Sequence, residues 1–557
     1  MSARRRTSAT VAALAACALL AAGCGRAAPG SGGSGGSGGA SSGSGQVSPT
    51  KGLVISTPPG TSSVASVTWA VYRPVNSLDP IFAFDYPENT AISLMCESLL
   101  LQEPNGSVQP GLATVSTPAP TQMVFTLQPG VKFWDGDPVT PADVIYSLRR
   151  QMDPAYGGFY GQVFDRVKSI TATGSNQVTL TLKQPDYWLE GELSSMPGVI
   201  VQKSYAQKEG KKYGTPAGGI MCTGAYKFVS WTAGAGVTAD LNTHYWKPAV
   251  KPLVKQIVIK GVPDAASFTS GMLTGAIQGS YYFGLSNLKQ LESSSNVKVY
   301  QGPGQMTDAF IVSATSGPLA SPKVRQALSM ALDRQAIISN VYDGAALMPR
   351  WLANPGTFGY GTSVFDAAYD SSPVLNQNLA QAKKLVKEAG VAGQTITIGT
   401  SSELASISAE TGAYQQAAEA IGLKVVLKSV SAADYINFFT SAAARKGIDG
   451  FITVNYGDYA DPAALLSTIV LPGGSQNYDN YNDPKTTALL EQARGTADPG
   501  QRAALVAQAE QLAARNLPWI PDVQPTSVLI TSKNLTGAVA SFAYMFAPWA
   551  DRLGGTG

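Results

Sequence analysis

The strongest constraint on the fold is the block FTLQPGVKFWDGDPVTPADVIYSLRR at residues 125–150. Alternating apolar residues before its proline–glycine pair predict a short strand that ends in a turn. Val131 and Phe133 predict the beginning of a second strand, which an aspartate–glycine turn closes. Thr140 can then cap a helix that begins at Pro141, and apolar residues at helical spacing give this helix one buried face. The block predicts strand, turn, strand, turn and capped helix, and nothing in it requires a catalytic group.

The same block resembles the signature of the family 5 extracytoplasmic solute-binding proteins, the oligopeptide-binding group that serves ABC importers. The likeness has no gap, and Trp134 and Pro141 are its main departures from the family pattern. A second stretch, SPKVRQALSMALDR at residues 321–334, is similar to a helix of this family. The resemblance implies an α/β protein with the two-lobed periplasmic-binding-protein (Venus flytrap) fold. It also implies mixed sheets and an extra small domain inserted in the first lobe.

The resemblance and the local composition together divide the chain into seven segments. We expect a signal peptide at 1–23, a lipidated flexible Gly/Ser tether at 24–65, lobe I at 66–100, 204–303 and 523–557, an inserted small domain of lobe I at 101–203, and lobe II at 304–522. The crossings between the lobes are expected near residues 303 and 522.

The N-terminus has the organisation of an export signal. Three arginines precede the apolar run 11–20, and small residues lead to Cys24. The run is too short to span a membrane comfortably, although a transmembrane anchor is the alternative. The junction resembles a lipobox, in which Cys24 becomes the lipid-modified first residue. We therefore expect an extracytoplasmic protein held at the membrane by this lipid, with the Gly/Ser-rich tract 30–45 as a flexible coil.

Charge argues against nucleic-acid binding, and the histidine count argues against catalysis by a Ser–His–Asp or Cys–His site. The net charge is +3, and the three signal-peptide arginines account for all of it, so the exported chain is nearly neutral. The single histidine, His244, lies in a stretch that resembles a turn of the family, whereas Ser–His–Asp or Cys–His chemistry would need it at a site. We predict no enzyme activity, no cofactor and a monomer.

Two cysteines, Cys96 and Cys222, remain in the exported body. Export places them in an oxidising compartment, which favours a disulfide, and two buried thiols are the alternative. Together with one distant histidine they are too few for a zinc site, so no metal is predicted.

The resemblance also implies where a ligand binds. The stretch VNYGDYADP, residues 454–462, is similar to the family segment whose carboxylate holds the ammonium group of a peptide, and Asp458 stands at that position. Alternatively, Asp458 caps the helix that follows or pairs with a lysine. Glu88 matches an acidic residue that faces the cleft, or it supports a helix that starts at Asn89.

Three further side chains, Tyr456, Asn455 and Tyr282, complete the predicted ligand contacts. The family's basic residue for the carboxylate of a short peptide is replaced by Ile452, which leaves the far end of the ligand open. The sequence thus predicts a substrate-binding lipoprotein that delivers peptides or peptide-like solutes to an ABC permease. The alternatives are the same fold with an oligosaccharide or a metal chelate as ligand, an exported hydrolase, and a sensory or adhesive surface lipoprotein.

Overall fold

The computed structural model describes residues 53–281, 287–402 and 404–557. The predicted signal peptide, the lipidation site Cys24, the Gly/Ser tract and the predicted ligand contact Tyr282 lie outside the described residues. Within the described part, no helix combines the length and the apolar composition that a membrane crossing needs.

The described residues form 21 strands. Along the chain they are β1 Val67–Val71, β2 Leu100–Gln102, β3 Val108–Pro110, β4 Ala113–Ala119, β5 Gln122–Leu127, β6 Val167–Gly174, β7 Gln177–Leu182, β8 Tyr226–Thr232, β9 Gly236–Leu241, β10 Gln256–Gly261, β11 Gly279–Tyr281, β12 Val297–Gly302, β13 Met306–Val312, β14 Ala346–Leu347, β15 Thr395–Thr400, β16 Lys424–Ser429, β17 Gly450–Tyr456, β18 Trp519–Pro525, β19 Ser527–Ser532, β20 Leu535–Thr536 and β21 Gly554–Gly555.

The same residues form 16 α-helices. They are α1 Tyr86–Met95, α2 Pro141–Met152, α3 Leu189–Glu192, α4 Lys203–Glu209, α5 Ala265–Thr274, α6 Leu288–Glu292, α7 Pro322–Ala331, α8 Arg334–Asn340, α9 Thr362–Ser371, α10 Leu379–Glu388, α11 Ala405–Ala420, α12 Ala432–Tyr435, α13 Asn437–Thr440, α14 Pro462–Val470, α15 Pro484–Arg494 and α16 Pro499–Asn516.

Lobe I is the part of the chain built on a seven-stranded sheet of order β12-β19-β11-β1-β10-β9-β8. The sheet is mixed, because β1 runs parallel to β10 and β11 while the other neighbours are antiparallel. Trp69, Tyr226 and Trp549 lie fully buried in its core. A disulfide joins Cys96, at the end of α1, to Cys222.

The N-terminal edge of the described chain is packed against lobe I. Val54 N donates to Gln301 O over 2.9 Å, Val64 N donates to Leu253 O over 2.8 Å, and Ser62 pairs with Gly555. Residues 53–65 lie inside the predicted tether 24–65, so the packed chain starts earlier than we expected. The reason is that this extended backbone pairs with distant strands and loops, which local composition does not reveal.

The insert, residues 101–203, carries its own four-stranded antiparallel sheet of order β4-β5-β7-β6. Helix α2 begins as predicted with a capping box, in which Thr140 N donates to Asp143 Oδ2 over 3.0 Å. Val131 and Phe133 are buried, but they do not form the predicted strand. A single bridge joins Lys132 to Pro138, flanked by hydrogen bonds from Phe133 N to Asp137 O over 2.9 Å and from Val139 N to Val131 O over 3.1 Å.

Lobe II is built on a six-stranded sheet of order β14-β18-β13-β17-β15-β16. Strand β13 pairs antiparallel with β17 and β18, and β15 pairs parallel with β16 and β17. The stretch 321–334 does not form one continuous helix, because α7 ends at Ala331 and Asp333 caps the start of α8 at Arg334. Arg334 is buried and donates to the carbonyl oxygens of Ser329 and Pro521, a structural role.

The chain crosses between the lobes at two adjacent places. Residues 303–305 connect β12 to β13, and Thr526 connects β18 to β19. We expected crossings near residues 303 and 522, and β18 continues past the second of these to Pro525. A Cβ atom on Gly304 would overlap the carbonyl oxygen of Pro525, so only glycine allows the two crossing segments to come this close.

Candidate ligand-binding cleft

A cavity of about 640 Å³ lies between lobe I, the insert and lobe II. Volumes of roughly 300–1,000 Å³ are typical of small-molecule sites in proteins. The cavity wall is largely aromatic and apolar. The rings that line it include Phe84 and Tyr86 from lobe I, Phe159, Tyr160 and Trp188 from the insert, and Tyr435, Phe439, Tyr456 and Tyr478 from lobe II. The cavity is therefore suited to a ligand that touches all three parts.

Asp458 lines this cavity just after β17. Its side chain is half-buried and has no hydrogen-bond or ion-pair partner among the described residues. Burial raises the pKa of Asp458 to about 7, because the carboxylate loses water without gaining a compensating partner. The neighbouring Asp461 caps α14 by accepting from Ala463 N over 2.8 Å, so Asp458 neither caps this helix nor pairs with a described lysine.

Glu192, which the sequence did not suggest, lines the same cavity from the last residue of α3. Its carboxylate is half-buried and likewise has no partner among the residues that the structure describes. Burial, and next the charge of Asp458, raise the pKa of Glu192 well above its usual value. A Cβ atom on Gly191 would overlap the ring of Tyr459, so the bare backbone of α3 packs beside the loop that carries Asp458.

Two of the other predicted contacts also line the cavity. Tyr456 reaches from lobe II to lobe I, where its hydroxyl donates to Phe84 O over 3.0 Å. Asn455 donates to the side chain of Gln476, and its Oδ1 accepts from the backbone N of Tyr456 over 2.8 Å. The hydroxyl of Tyr456 thus contributes to the contact between the lobes, and its ring to the cavity wall.

Glu88 does not line the cavity, which corrects the prediction that it faces the ligand. It lies in the first turn of α1, which begins at Tyr86 and not at Asn89, and it is buried. Its carboxylate accepts from both Nη atoms of Arg73 at 2.8 Å and from Asn76 N at 2.7 Å. Because arginine and backbone amide satisfy it, Glu88 orders the loop before α1.

Ion pairs join lobe II to the insert across the cavity. Arg494, on α15, donates to Asp165 over 2.7 Å and to Asp186 over 2.6 Å. Arg166 of the insert pairs with Glu491 on the same helix. These contacts hold the insert against lobe II in the conformation that the structure describes.

One group of carboxylates among the described residues has the spacing of a metal site. Asp308, Glu410 and Asp522 are buried in lobe II, with one oxygen from each within 4.8 Å of the others. Hydroxyl groups of Tyr342 and Tyr414 donate into this cluster, and burial raises the pKa of all three carboxyl groups. The arrangement fits carboxyl groups that retain protons, and none of the three lines the cavity. His244 is exposed and also lies outside the cavity wall.

Two lobes linked by adjacent crossings around an aromatic cavity define a solute-binding protein of the two-lobed type. The chain belongs to the bacterial extracellular solute-binding proteins, family 5, whose middle region matches residues 107–477. This match confirms the family and the fold class that the sequence predicted. Members of this family are solute-binding proteins rather than enzymes.

Comparison with individual proteins agrees with this assignment. The chain is 27% identical over 476 residues to the periplasmic murein peptide-binding protein MppA of Escherichia coli K12, covering 81% of this chain and 86% of that protein. It is 26% identical over 491 residues to the glutathione-binding protein GsiB of Pectobacterium atrosepticum, covering 85% of this chain and 93% of that protein. The structure of DppA from Helicobacter pylori, solved with the peptide STSA, superposes with a TM-score of 0.77 at 21% identity. That match covers 88% of this chain and 98% of DppA, and it shows the shared fold.

Proposed function

We propose that this protein captures peptides with a free α-ammonium group and delivers them unaltered to the permease of an ABC importer. In this proposal it acts as an extracytoplasmic monomer that is held at the membrane by a lipid on Cys24. The predicted contacts Asp458, Tyr456 and Asn455 form part of the peptide site, and Tyr282 belongs to the same proposal.

The observation that carries the proposal is the carboxylate of Asp458, which faces the cavity without a described partner. A carboxylate removed from water needs a cation or several hydrogen-bond donors to remain ionised. An α-ammonium group supplies both, through charge-assisted hydrogen bonds. Two relatives at 26–27% identity are named for murein peptide and for glutathione, both of which are peptide-like solutes.

The cavity explains how binding is coupled to closure. A ligand favours the closed state only if it makes contacts there that the open state lacks. The wall includes lobe I, the insert and lobe II, so a ligand that fills it contacts both sides of the crossing segments. Release then requires only that the lobes separate, and no bond in the ligand has to break.

We predict that Asp458→Asn weakens the binding of a free-amine tripeptide by about 2–4 kcal/mol, the usual effect of removing one member of a buried charge pair. Isothermal titration calorimetry with Ala-Ala-Ala and with its N-acetylated form measures this effect directly, because the α-ammonium group is the only cation of this peptide. Asp370→Asn, which changes an exposed carboxylate on α9, is the matched control and should bind as the wild type does.

The peptide assignment would be abandoned if N-acetylation left the affinity unchanged. It would also be abandoned if only oligosaccharides or metal chelates gave heat of binding, an outcome that keeps the fold and changes the ligand.

A further inference from the structure

We infer that Glu192 and Asp458 together form a two-carboxylate anchor, which selects peptides whose first residue carries a second positive charge, such as an amino-terminal lysine, arginine or ornithine. This inference rests on the proposed function and specifies the ligand class of the same cavity.

The charges on the cavity wall are the first argument. Six acidic residues line the cavity, and Arg494 is the only lysine or arginine among the described lining residues. Four of the six carboxylates have arginine partners: Asp85 pairs with Arg73, Asp165 and Asp186 pair with Arg494, and Glu491 pairs with Arg166. The two that remain are Glu192 and Asp458, so the wall presents two uncompensated carboxylates to a ligand.

The two carboxylates act at one place, because their supporting segments are packed together. Glu192 ends α3 of the insert, and Asp458 follows β17 of lobe II. These segments pack directly against each other, because Gly191 lies against the ring of Tyr459. In addition, Gln102 Nε2 of the insert donates to Asp458 O over 3.2 Å. A cationic group placed here therefore contacts the insert and lobe II at once.

Charge compensation determines the ligand class. If the ligand brings a single ammonium group, two carboxylates face one positive charge, and one of them must keep a proton or remain without a counter-charge. If the first residue of the ligand carries a second cation, each carboxylate gains a positive partner, and this cost disappears. Conversely, a ligand carboxylate finds no available cation among the described lining residues, because Arg494 is already paired with two aspartates. Ile452, which stands at the position of the family's basic residue, is fully buried.

Position-matched tripeptides test the inference on the wild-type protein. Calorimetry at pH 7 would compare Lys-Ala-Ala, Ala-Ala-Lys and Ala-Ala-Ala, of which the first two have the same formal charge. We expect Lys-Ala-Ala to bind at least about tenfold more tightly than Ala-Ala-Lys, since only its side-chain cation reaches the anchor. Equal affinities for these two peptides would overturn the inference.

A variant pair assigns the preference to Glu192. Glu192→Gln should reduce the ratio between Lys-Ala-Ala and Ala-Ala-Lys to within about threefold, while Glu292→Gln, at an exposed position on α6, should keep the full ratio. A ratio that survives in Glu192→Gln would overturn the assignment. If all three peptides bind equally and Asp458→Asn still abolishes binding, the proposed function stands and only this inference fails. If no free-amine peptide binds, the proposed function fails.

Discussion

Asp458 and Glu192 determine how the cleft responds to pH. Burial raises the pKa of Asp458 to about 7 and that of Glu192 well above its usual value. The neutral hydroxyl groups of Tyr160 and Tyr456 lie near Asp458, the charges of Asp186 and Asp461 also raise the pKa of Glu192, and the charge of Arg494 lowers it. Both carboxyl groups therefore hold their protons to a higher pH than exposed carboxyl groups do, and a cationic ligand favours their ionised forms.

We predict that the affinity for Lys-Ala-Ala rises with pH between 5 and 7, a range in which the α-ammonium group of the peptide stays largely protonated. The ligand requires an ionised Asp458, and below a pKa of about 7 the ionised fraction falls by roughly tenfold for each pH unit. Calorimetry at pH 5, 6 and 7 gives the affinities, and repeating it in buffers of different ionisation enthalpy counts the released protons. Asp458→Asn should show a flatter profile, and a pH-independent wild-type affinity would contradict the role of Asp458.

The sequence singled out Asp458 as a cleft residue but did not suggest Glu192, for a physical reason. A contiguous motif surrounds Asp458, whereas Glu192 belongs to a four-residue helix that is too short to show an amphipathic pattern. The prediction for Glu88 was wrong because its partner, Arg73, belongs to a separate loop, and local sequence does not show such a pair. Glu192 was hard to single out because the same short stretch, WLEGELSSMPGVIV, contains a second acidic residue, Glu190.

Among the helices and strands, local sequence rules predicted those whose ends are fixed by contacts between residues close in sequence. Helix α2 was predictable because Thr140 and Asp143 form its capping box and Pro141 takes its first position, all within four residues. The predictions of a strand at Val131 and of a single helix over 321–334 assumed that the apolar spacing continues as one regular element. Turns and caps ended both elements early, and tertiary packing kept their side chains buried.

Helix α16 contains a buried acid that offers a test of stability. Glu510 accepts from Leu352 N over 3.2 Å, and burial raises its pKa to about 8. A carboxyl group whose folded pKa is raised contributes its full stability below its unfolded pKa, near 4.5, and loses it as the pH rises through about 8.

We therefore predict that Glu510→Gln, which resembles the protonated acid, stabilises the protein by about 1–3 kcal/mol at pH 8 and has little effect at pH 5. Thermal and urea unfolding at the two pH values measure the difference. Glu292→Gln is the control, and an equal effect of Glu510→Gln at both pH values would show that the pKa of Glu510 is not raised.

On the scale of the whole molecule, closure depends on contacts that lie far apart in sequence. The family resemblance predicted two lobes, which the fold confirms. It did not reveal the bridge from Arg494 to Asp165 and Asp186, because these partners belong to different parts of the chain. Breaking a buried ion pair by removing one member leaves a charge without compensation, which is costly.

We predict that Arg494→Gln speeds the dissociation of a bound peptide by about tenfold or more, since the closed state loses the pair with buried Asp186. Stopped-flow displacement gives the rate, and small-angle X-ray scattering of the unliganded variant should show a larger radius of gyration. Arg515→Gln, at an exposed position on α16, should leave both quantities unchanged. An unaltered dissociation rate in Arg494→Gln would mean that other contacts keep the lobes together.

The packing of residues 53–65 on lobe I determines which half of the molecule any upstream attachment would hold. Backbone hydrogen bonds join residues 53–65 to Gln301, Leu253 and Ala538, all of which belong to lobe I. A force applied through the N-terminus is therefore transmitted first to lobe I, and it reaches lobe II only through the crossings at Gly304 and Thr526 and through the contacts between the lobes. Lobe I is thus the half that an upstream attachment would hold still, and opening of the cleft would move lobe II relative to it.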